Sequence, residues 1–274
     1  MTVRVYALAD AGVILTDLTG PTLDAVSLQL PDGVYTTLRT TDRTRILGLS
    51  AHLRRLSDSL ALLHGARSCD LAAVRAALRI VIERENLPAA RLRITAPYDD
   101  DRVFISIEPF ESFPPECYSR GVRCGTTRWL ARDTPRAKRS EFIKPSRSEK
   151  AGHDSDVQEL LLVDAGGRIF EGISSNFFAV LDGALRTAGE GVLEGVTRGF
   201  VLALAVELLP VVCTAIHLTD LPRVSEAFIT SSSREVMPVV QIDQTTIGSG
   251  APGSITQMLM ARYRTHVMQA AELT

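Results

Sequence analysis

A region of alternating apolar segments and turns, residues 159–187, places the strongest constraint on the fold of this chain. The stretch ELLLVDAGGRIFEGISSNFFAVLDGALRT contains three predicted strands, separated by a Gly-Gly turn at 166–167 and an Asp-Gly turn at 182–183. Segments with helical spacing lie on both sides of it. Because strands and helices are mixed without strict β-α-β alternation, the pattern predicts an α+β fold in two lobes rather than a doubly wound parallel sheet.

The first part of the chain combines helices and strands. Leucines recur at helical spacing through residues 49–63, and Gly65 is placed to cap that helix. Residues 70–87 repeat the helical pattern. The content of β-branched and aromatic residues predicts three strands, at 33–40, 91–96 and 101–110.

A run of structure-breaking residues marks the predicted domain boundary. Phe113-Pro114-Pro115 interrupts regular structure. We therefore expect a small N-terminal α+β domain, residues 1–116, and a larger C-terminal domain, residues 117–274. The further elements predicted in the second domain are strands at 121–130 and 226–233 and helices at 195–209 and 255–273.

Composition narrows the classes of function. The chain has 274 residues, 45% hydrophobic and 23% charged, with a net charge of −2, which argues against a general nucleic-acid or membrane-surface binder. The four cysteines form no Cys-x-x-Cys pair, so neither a metal site nor a disulfide framework is expected. No apolar run approaches the roughly 20 residues that span a bilayer, and the N-terminus lacks the apolar segment of a signal peptide. We therefore expect a cytoplasmic protein.

Six short motifs contain the candidate catalytic and binding residues. Each alone is compatible with an ordinary surface loop or helix end, and Lys138 in particular lies in a stretch rich in arginine. In chain order the motifs are DGVYTTLR (32–39), SAHLRRL (50–56), RWL…PRAK (128–138), EGISSNFF (171–178), GVTR (195–198) and TSSSREVMPVV (230–240). Together, and in this order, they resemble the class IV aminotransferase family. The most specific feature is the E-G-x-S-S-N-x-F motif, which begins 33 residues (171 − 138) after Lys138.

The resemblance implies a fold-type IV enzyme that uses pyridoxal 5′-phosphate (PLP). In that fold a small α/β N-terminal domain and a larger C-terminal pseudo-barrel domain hold PLP in the cleft between them, and family members are usually homodimers. The family includes D-amino-acid aminotransferases, branched-chain aminotransferases and aminodeoxychorismate lyases.

The resemblance also assigns cofactor contacts to individual residues. Lys138 is similar to the lysine that forms a Schiff base with PLP and then transfers a proton between the substrate Cα and C4′ of the cofactor. Glu171 is similar to the carboxylate beside the pyridine nitrogen, and Asn176 would brace the turn that follows it. The residues at the family's phosphate-binding positions are Arg55, Val196, Thr197, Ser232 and Ser233.

The predicted strand at 33–40 supplies candidate substrate contacts. Tyr35 is similar to a position that lines the substrate pocket in the family. Because side chains alternate along a strand, Thr37 and Arg39 would share the face of Tyr35, while Thr36 and Leu38 would face the other way. Arg39 is therefore a candidate ligand for a substrate carboxylate, although a surface position would suit an arginine equally well.

Some segments depart from the subgroup patterns. The branched-chain subgroup has a tyrosine after its lysine, where this chain has Phe142 and Ile143, and Pro145 is expected to interrupt the helix that follows. Lys144 precedes Glu171 by only 27 residues (171 − 144), which is too short an interval for the catalytic lysine. The Arg-x-His carboxylate trap of the D-amino-acid subgroup is absent, since the comparable stretch is ITAPYDDD.

Three hypotheses for function follow. The first is a transaminase that moves an amino group between an amino acid or amine and a 2-oxo acid, which the TSSSREVMPVV segment favours. The second is an aminodeoxychorismate lyase that releases pyruvate and 4-aminobenzoate, which Tyr35-Thr36-Thr37 and SAHLRRL favour. The third, a non-catalytic homologue, is opposed by the intact set of Lys138, Glu171 and Arg55. The sequence predicts the transaminase, with the lyase as its alternative.

Overall fold

The computed structural model describes residues 2–65 and 69–274. It contains two compact units, of which the first comprises Met1–Ser112, Ala137–Lys144 and His266–Thr274, and the second comprises Phe113–Arg136 and Pro145–Thr265. This division differs from one cut after residue 116, because two later segments belong to the first unit. The small N-terminal domain of residues 1–116 and the larger C-terminal domain of residues 117–274 remain a prediction.

The elements of the chain up to residue 112 are β1 (Val3–Ala9), β2 (Gly12–Gly20), α1 (Leu23–Ser27), β3 (Gly33–Arg39), β4 (Arg45–Leu47), α2 (Leu49–His64), α3 (Leu71–Glu85), β5 (Ala90–Pro97) and β6 (Val103–Pro109). The elements after it are α4 (Glu116–Ser119), β7 (Val122–Thr127), a 3-10 helix (Ser140–Phe142), α5 (Ile143–Ala151), β8 (Val157–Val163), β9 (Arg168–Gly172), β10 (Asn176–Leu181), β11 (Ala184–Arg186), α6 (Val196–Ala205), β12 (Val211–Val212), β13 (Ile216–His217), a second 3-10 helix (Leu218–Arg223), β14 (Glu226–Ser231), β15 (Glu235–Ile242), β16 (Thr245–Thr246), α7 (Ser254–Ala270) and β17 (Ala271–Leu273).

The first unit is built on a five-stranded antiparallel sheet with strand order β2-β1-β6-β5-β3. Its core contains one face of α2 and one face of α3 together with apolar side chains of the sheet. The helical spacing of leucines is confirmed, since Leu49, Leu53, Leu56 and Leu60 are buried, and the backbone N–H of Gly65 caps α2 at the Ala61 carbonyl, 2.9 Å away.

Two segments from later in the chain complete the first unit. The backbone N–H of Tyr35 in β3 donates to the carbonyl of Lys138 over 2.9 Å, and the N–H of Gly33 donates to Ser140 Oγ over 2.9 Å. At the C-terminus the predicted helix ends at Ala270, earlier than expected, because β17 pairs with β4. Cross-strand pairing has overridden the helical propensity of the last residues.

The second unit contains a ten-stranded sheet in which six strands form a closed ring, in the order β10-β14-β15-β7-β8-β9 and back to β10. The apolar side chains that line this ring form the core of the unit. Strand β7 pairs in parallel with both β15 and β8, whereas the other pairings in the ring are antiparallel. Closing a sheet on itself removes exposed strand edges.

Several local predictions need correction. The single strand expected between the Gly-Gly and Asp-Gly turns is two strands, β9 and β10, which are separated by a turn at residues 173–175. The N-terminal hairpin of β1 and β2, and strand β15, were not predicted. Pro145 does not interrupt a helix, because it lies in the first turn of α5, where the N–H that proline lacks has no intrahelical partner.

Candidate active site

The residues expected to bind cofactor and substrate form two groups, one in each unit. The first unit contains Tyr35, Thr37, Arg39, Arg55 and Lys138. The second unit contains Glu171, Asn176, Val196, Thr197, Ser232 and Ser233.

Lys138 is held by the backbone of the first unit. Its carbonyl accepts from Tyr35, and its own N–H lies 3.4 Å from the Ser59 hydroxyl of α2. The side chain is half-buried, and its Nζ lies 4.8 Å from the centroid of the Tyr35 ring, in the geometry of a cation–π contact. Lys144, in contrast, is exposed.

The two faces of β3 differ in burial, as the alternation of side chains predicts. Thr36 and Leu38 are buried, whereas Tyr35, Thr37 and Arg39 are half-buried. The Arg39 guanidinium lies over the ring of Phe110, 5.3 Å from its centroid.

Arg93, which was not predicted as a site residue, lies on the same face of this sheet as Tyr35. It is buried, its guanidinium carbon is 4.6 Å from the centroid of the Tyr35 ring, and it forms an ion pair of 2.8 Å with Asp24. Tyr35 therefore lies in contact with two cations, Arg93 and Lys138.

Arg55 extends from α2 toward the opposite, buried face of β3. Its Nη2 donates to Thr36 Oγ1 over 2.9 Å, and the same oxygen is 2.9 Å from Nδ1 of His52. Burial is the main cause that lowers the pKa of His52 well below its ordinary value, and the positive charges of Arg55 and Lys138 lower it further. His52 is therefore neutral at physiological pH.

In the second unit, Glu171 is almost completely buried and accepts three hydrogen bonds. Arg132 Nε donates to Oε1 over 2.9 Å, while Asn176 Nδ2 and the backbone N–H of Leu193 donate to Oε2 over 3.1 and 3.2 Å. Three donors, one of them cationic, stabilise the carboxylate form of this side chain. The ring of strands closes at this point, because the β9–β10 pairing joins Glu171 to Asn176.

Arg132 is a site residue that the sequence analysis missed. Its side chain is only 8% exposed, and Nη2 also donates to the carbonyl of Ile173 over 3.0 Å. The sequence signal was weak, because Arg132 lies in a loop with several arginines that looked like a solvated basic segment.

Asn176 connects Glu171 to the start of α6. Its Nδ2 donates to the carbonyl of Leu193 over 2.8 Å as well as to Glu171. A Cβ atom on Gly195 would lie 2.0 Å from Asn176 Oδ1, so this position requires glycine. Gly195 is the N-cap of α6 and provides no side-chain cap, so Val196 and Thr197 present backbone N–H groups at an uncapped, electropositive helix N-terminus.

Ser232 and Ser233 lie in the turn that joins β14 to β15, and both are half-buried. The next residue, Arg234, donates through Nη1 to the Ser174 hydroxyl over 2.9 Å. Ser174 in turn donates to the fully buried Glu159 over 2.6 Å. Glu159 and Arg234, neither of which was anticipated, therefore join the turn of the two serines to the turn that follows Glu171.

Comparisons with known proteins identify relatives of this chain. The family model for amino-transferase class IV matches residues 33–242. The branched-chain-amino-acid aminotransferase of Pseudomonas aeruginosa is 25% identical over 253 residues, which cover 84% of this chain and 82% of that protein. A putative branched-chain-amino-acid aminotransferase of Methanocaldococcus jannaschii is 32% identical over 158 residues, 55% of each chain. The D-alanine aminotransferase of Bacillus licheniformis is 34% identical over 129 residues, 46% of this chain and 45% of that protein. The chain thus spans about half the length of two of these relatives.

Solved structures share the fold. The T.th. branched-chain amino acid aminotransferase with pyridoxamine 5′-phosphate superposes with a TM-score of 0.81 at 20% identity, covering 97% of this chain and 94% of that one. The Escherichia coli branched-chain amino acid aminotransferase gives 0.79 at 23% identity, with 96% and 93% covered. The predicted α+β fold with a barrel-like, strand-rich C-terminal part is confirmed.

None of the helices in residues 2–65 and 69–274 is long and apolar enough to cross a membrane. Within the same ranges, His, Cys, Asp and Glu side chains form no group suited to a metal ion.

Proposed function

Because the chain belongs to the class IV aminotransferase family, we propose that it is a PLP-dependent transaminase that moves an amino group between an amino acid or amine and a 2-oxo acid. The observation that supports this most strongly is the buried Glu171 side chain, whose oxygens accept from Arg132, Asn176 and the backbone N–H of Leu193. The named relatives are branched-chain and D-alanine aminotransferases, which favours the transaminase over the lyase.

Each unit, taken by itself, carries groups that suit PLP. In the second unit, the N–H groups of Val196 and Thr197 and the hydroxyls of Ser232 and Ser233 are the fixed donors that a dianionic phosphate requires. In the first unit, the guanidinium of Arg55 is the predicted cation for a phosphate. A protonated ring nitrogen requires an anionic neighbour, and Glu171 is one. When bound, PLP supplies an electron sink that stabilises negative charge at the substrate Cα.

Lys138 has two proposed tasks. Its amine would hold the cofactor covalently, and its Nζ would move a proton between the substrate Cα and C4′ of the bound cofactor. The Tyr35 ring limits the positions that Nζ can adopt, because their contact favours a cation over the aromatic face.

Glu171 keeps a proton on the cofactor's ring nitrogen, because a buried carboxylate stabilises the cationic form of a neighbouring base. Asn176 fixes the carboxylate of Glu171 and the start of α6 relative to each other. Tyr35, Thr37 and Arg39 line the proposed substrate site, with Arg39 as the candidate partner of a substrate carboxylate. We also propose that the protein is a cytoplasmic homodimer.

A half-reaction tests the proposed function. An amino donor added to the holoenzyme without an acceptor should change the cofactor's visible absorption in a single turnover, and a 2-oxo acid should then restore it. Lys138→Ala should abolish the exchange, while Lys144→Ala, the matched control at an exposed lysine, should retain it. If no donor in a panel of L- and D-amino acids and amines changes the spectrum, while aminodeoxychorismate yields pyruvate, the lyase would replace the transaminase.

A further inference from the structure

We propose that Thr36 and His52 are positioning residues for Arg55, and that they orient its guanidinium toward the phosphate of the cofactor. This inference rests on the proposed function, since it assumes that Arg55 binds the phosphate.

The three side chains form a chain of hydrogen bonds in which Thr36 is the middle member. Arg55 Nη2 can only donate, so Thr36 Oγ1 accepts from it over 2.9 Å. The same oxygen lies 2.9 Å from Nδ1 of His52. The Thr36 hydroxyl either donates to Nδ1 or accepts a second hydrogen bond from it, according to which ring nitrogen of the neutral His52 carries the proton.

Burial makes this arrangement difficult to replace. Thr36 is fully buried and His52 is 2% exposed, so neither side chain can exchange its partner for bulk water. The burial and the nearby positive charges that lower the pKa of His52 keep its ring neutral, so that it adds no further positive charge beside Arg55. A buried donor or acceptor that loses its partner is costly, so each group constrains the next.

The positions of the three residues explain how they orient Arg55. His52 and Arg55 are three residues apart on α2, which places them on neighbouring parts of one helix face. Thr36 lies opposite them on the buried face of β3. Because the five N–H donors of a guanidinium share one plane, holding one of them limits the directions in which the others can point.

Thr36→Val tests the proposal, because valine has nearly the same shape but lacks the hydroxyl. Full-length protein freed of cofactor is titrated with PLP, and kcat is measured at saturating PLP. We expect the Kd for PLP to rise at least about tenfold, with kcat within about twofold of the wild type. Thr36→Ser, which restores the hydroxyl, should bring the Kd back to within about threefold of the wild type.

The control is Thr95→Val, at a buried threonine of the same sheet whose hydroxyl has no hydrogen-bond partner in the part of the chain that the structure describes. It should leave the Kd for PLP unchanged. In an Arg55→Ala background, Thr36→Val should have no further effect on the Kd, because the side chain that it positions is gone.

The outcomes separate this inference from the proposed function. If Arg55→Ala weakens PLP binding and Thr36→Val does not, or if serine fails to restore the affinity, Thr36 does not position Arg55. If Arg55→Ala leaves PLP binding unchanged, the phosphate-binding role of Arg55 is itself wrong. Should Thr36→Val fail to fold, His52→Asn, which keeps a hydrogen-bonding group near the position of Nδ1, and His52→Leu, which does not, provide the same contrast.

Discussion

Replacing Glu171 with glutamine changes one acceptor oxygen of a buried carboxylate into an NH2 donor. The structure directs three donors at that carboxylate, and they approach both of its oxygens. Whichever way the amide is turned, at least one donor then faces another donor. Arg132, whose side chain is 8% exposed, also loses the counter-ion for its buried charge.

The expected cost follows from this geometry. Removing one partner of a buried ion pair destabilises a protein by about 3–5 kcal/mol. We therefore expect Glu171→Gln to lower the free energy of unfolding of the cofactor-free protein by about 3 kcal/mol. Arg132→Met should have a similar effect, because it leaves the carboxylate without its cation. The free energy of unfolding of the double variant should fall by about 1.5–3 kcal/mol less than the sum of the two single losses, since neither charge remains.

Activity provides a second, separate measurement. Without an anionic neighbour the cofactor's ring nitrogen is less readily protonated, so kcat of Glu171→Gln should fall at least about 100-fold, equivalent to about 2.7 kcal/mol of transition-state stabilisation. The kcat of the double variant should stay as low as that of Glu171→Gln, because the carboxylate is still absent.

Urea denaturation of the four proteins and steady-state kinetics at saturating PLP test these expectations. The control is Arg136→Met in the same loop, where the pair with Glu194 spans 3.8 Å and both side chains are largely exposed. It should change stability by less than about 0.5 kcal/mol. A loss below about 1 kcal/mol for Glu171→Gln, with kcat near that of the wild type, would refute both the structural and the catalytic role of this carboxylate.

Three further predictions concern single residues. Borohydride reduction of the holoenzyme followed by peptide mapping should find the pyridoxyl group on Lys138, and a group on Lys144 would contradict the assignment. Arg55→Ala should weaken PLP binding by about 1.5–3 kcal/mol with little change of kcat at saturating PLP, measured by cofactor titration and kinetics. Burial, and after it the charge of Glu159, raises the pKa of the Cys124 thiol. Alkylation of the native protein at pH 8 should therefore modify the exposed Cys213 and reach Cys124 only after unfolding. Rapid labelling of Cys124 in the native protein would count against this.

Local patterns predicted the elements whose formation depends mainly on neighbours in sequence. The leucine spacing of α2 predicted both the helix and its buried face, because the period of a helix determines which residues share a side. The alternation along β3 likewise placed Thr36 and Leu38 opposite Tyr35 and Thr37. The order of the motifs was sufficient to identify the family and to propose which residues bind the cofactor.

The sequence by itself therefore determined the family, most of the helices and the candidate chemical groups, whereas the tertiary structure decided which groups meet. Arg128, Arg132 and Arg136 lie in one loop and look equivalent in sequence. Arg128 and Arg136 are exposed, and Arg132 is buried against a carboxylate 39 residues later. Tertiary packing also decides two features of strand pairing. These are the pairing of β17 with β4 and the closure of the strand ring at Glu171 and Asn176. The physical reason is that periodicity reports only on contacts within a few residues, while a buried charge or a strand edge is satisfied by whichever distant group the packed chain brings to it.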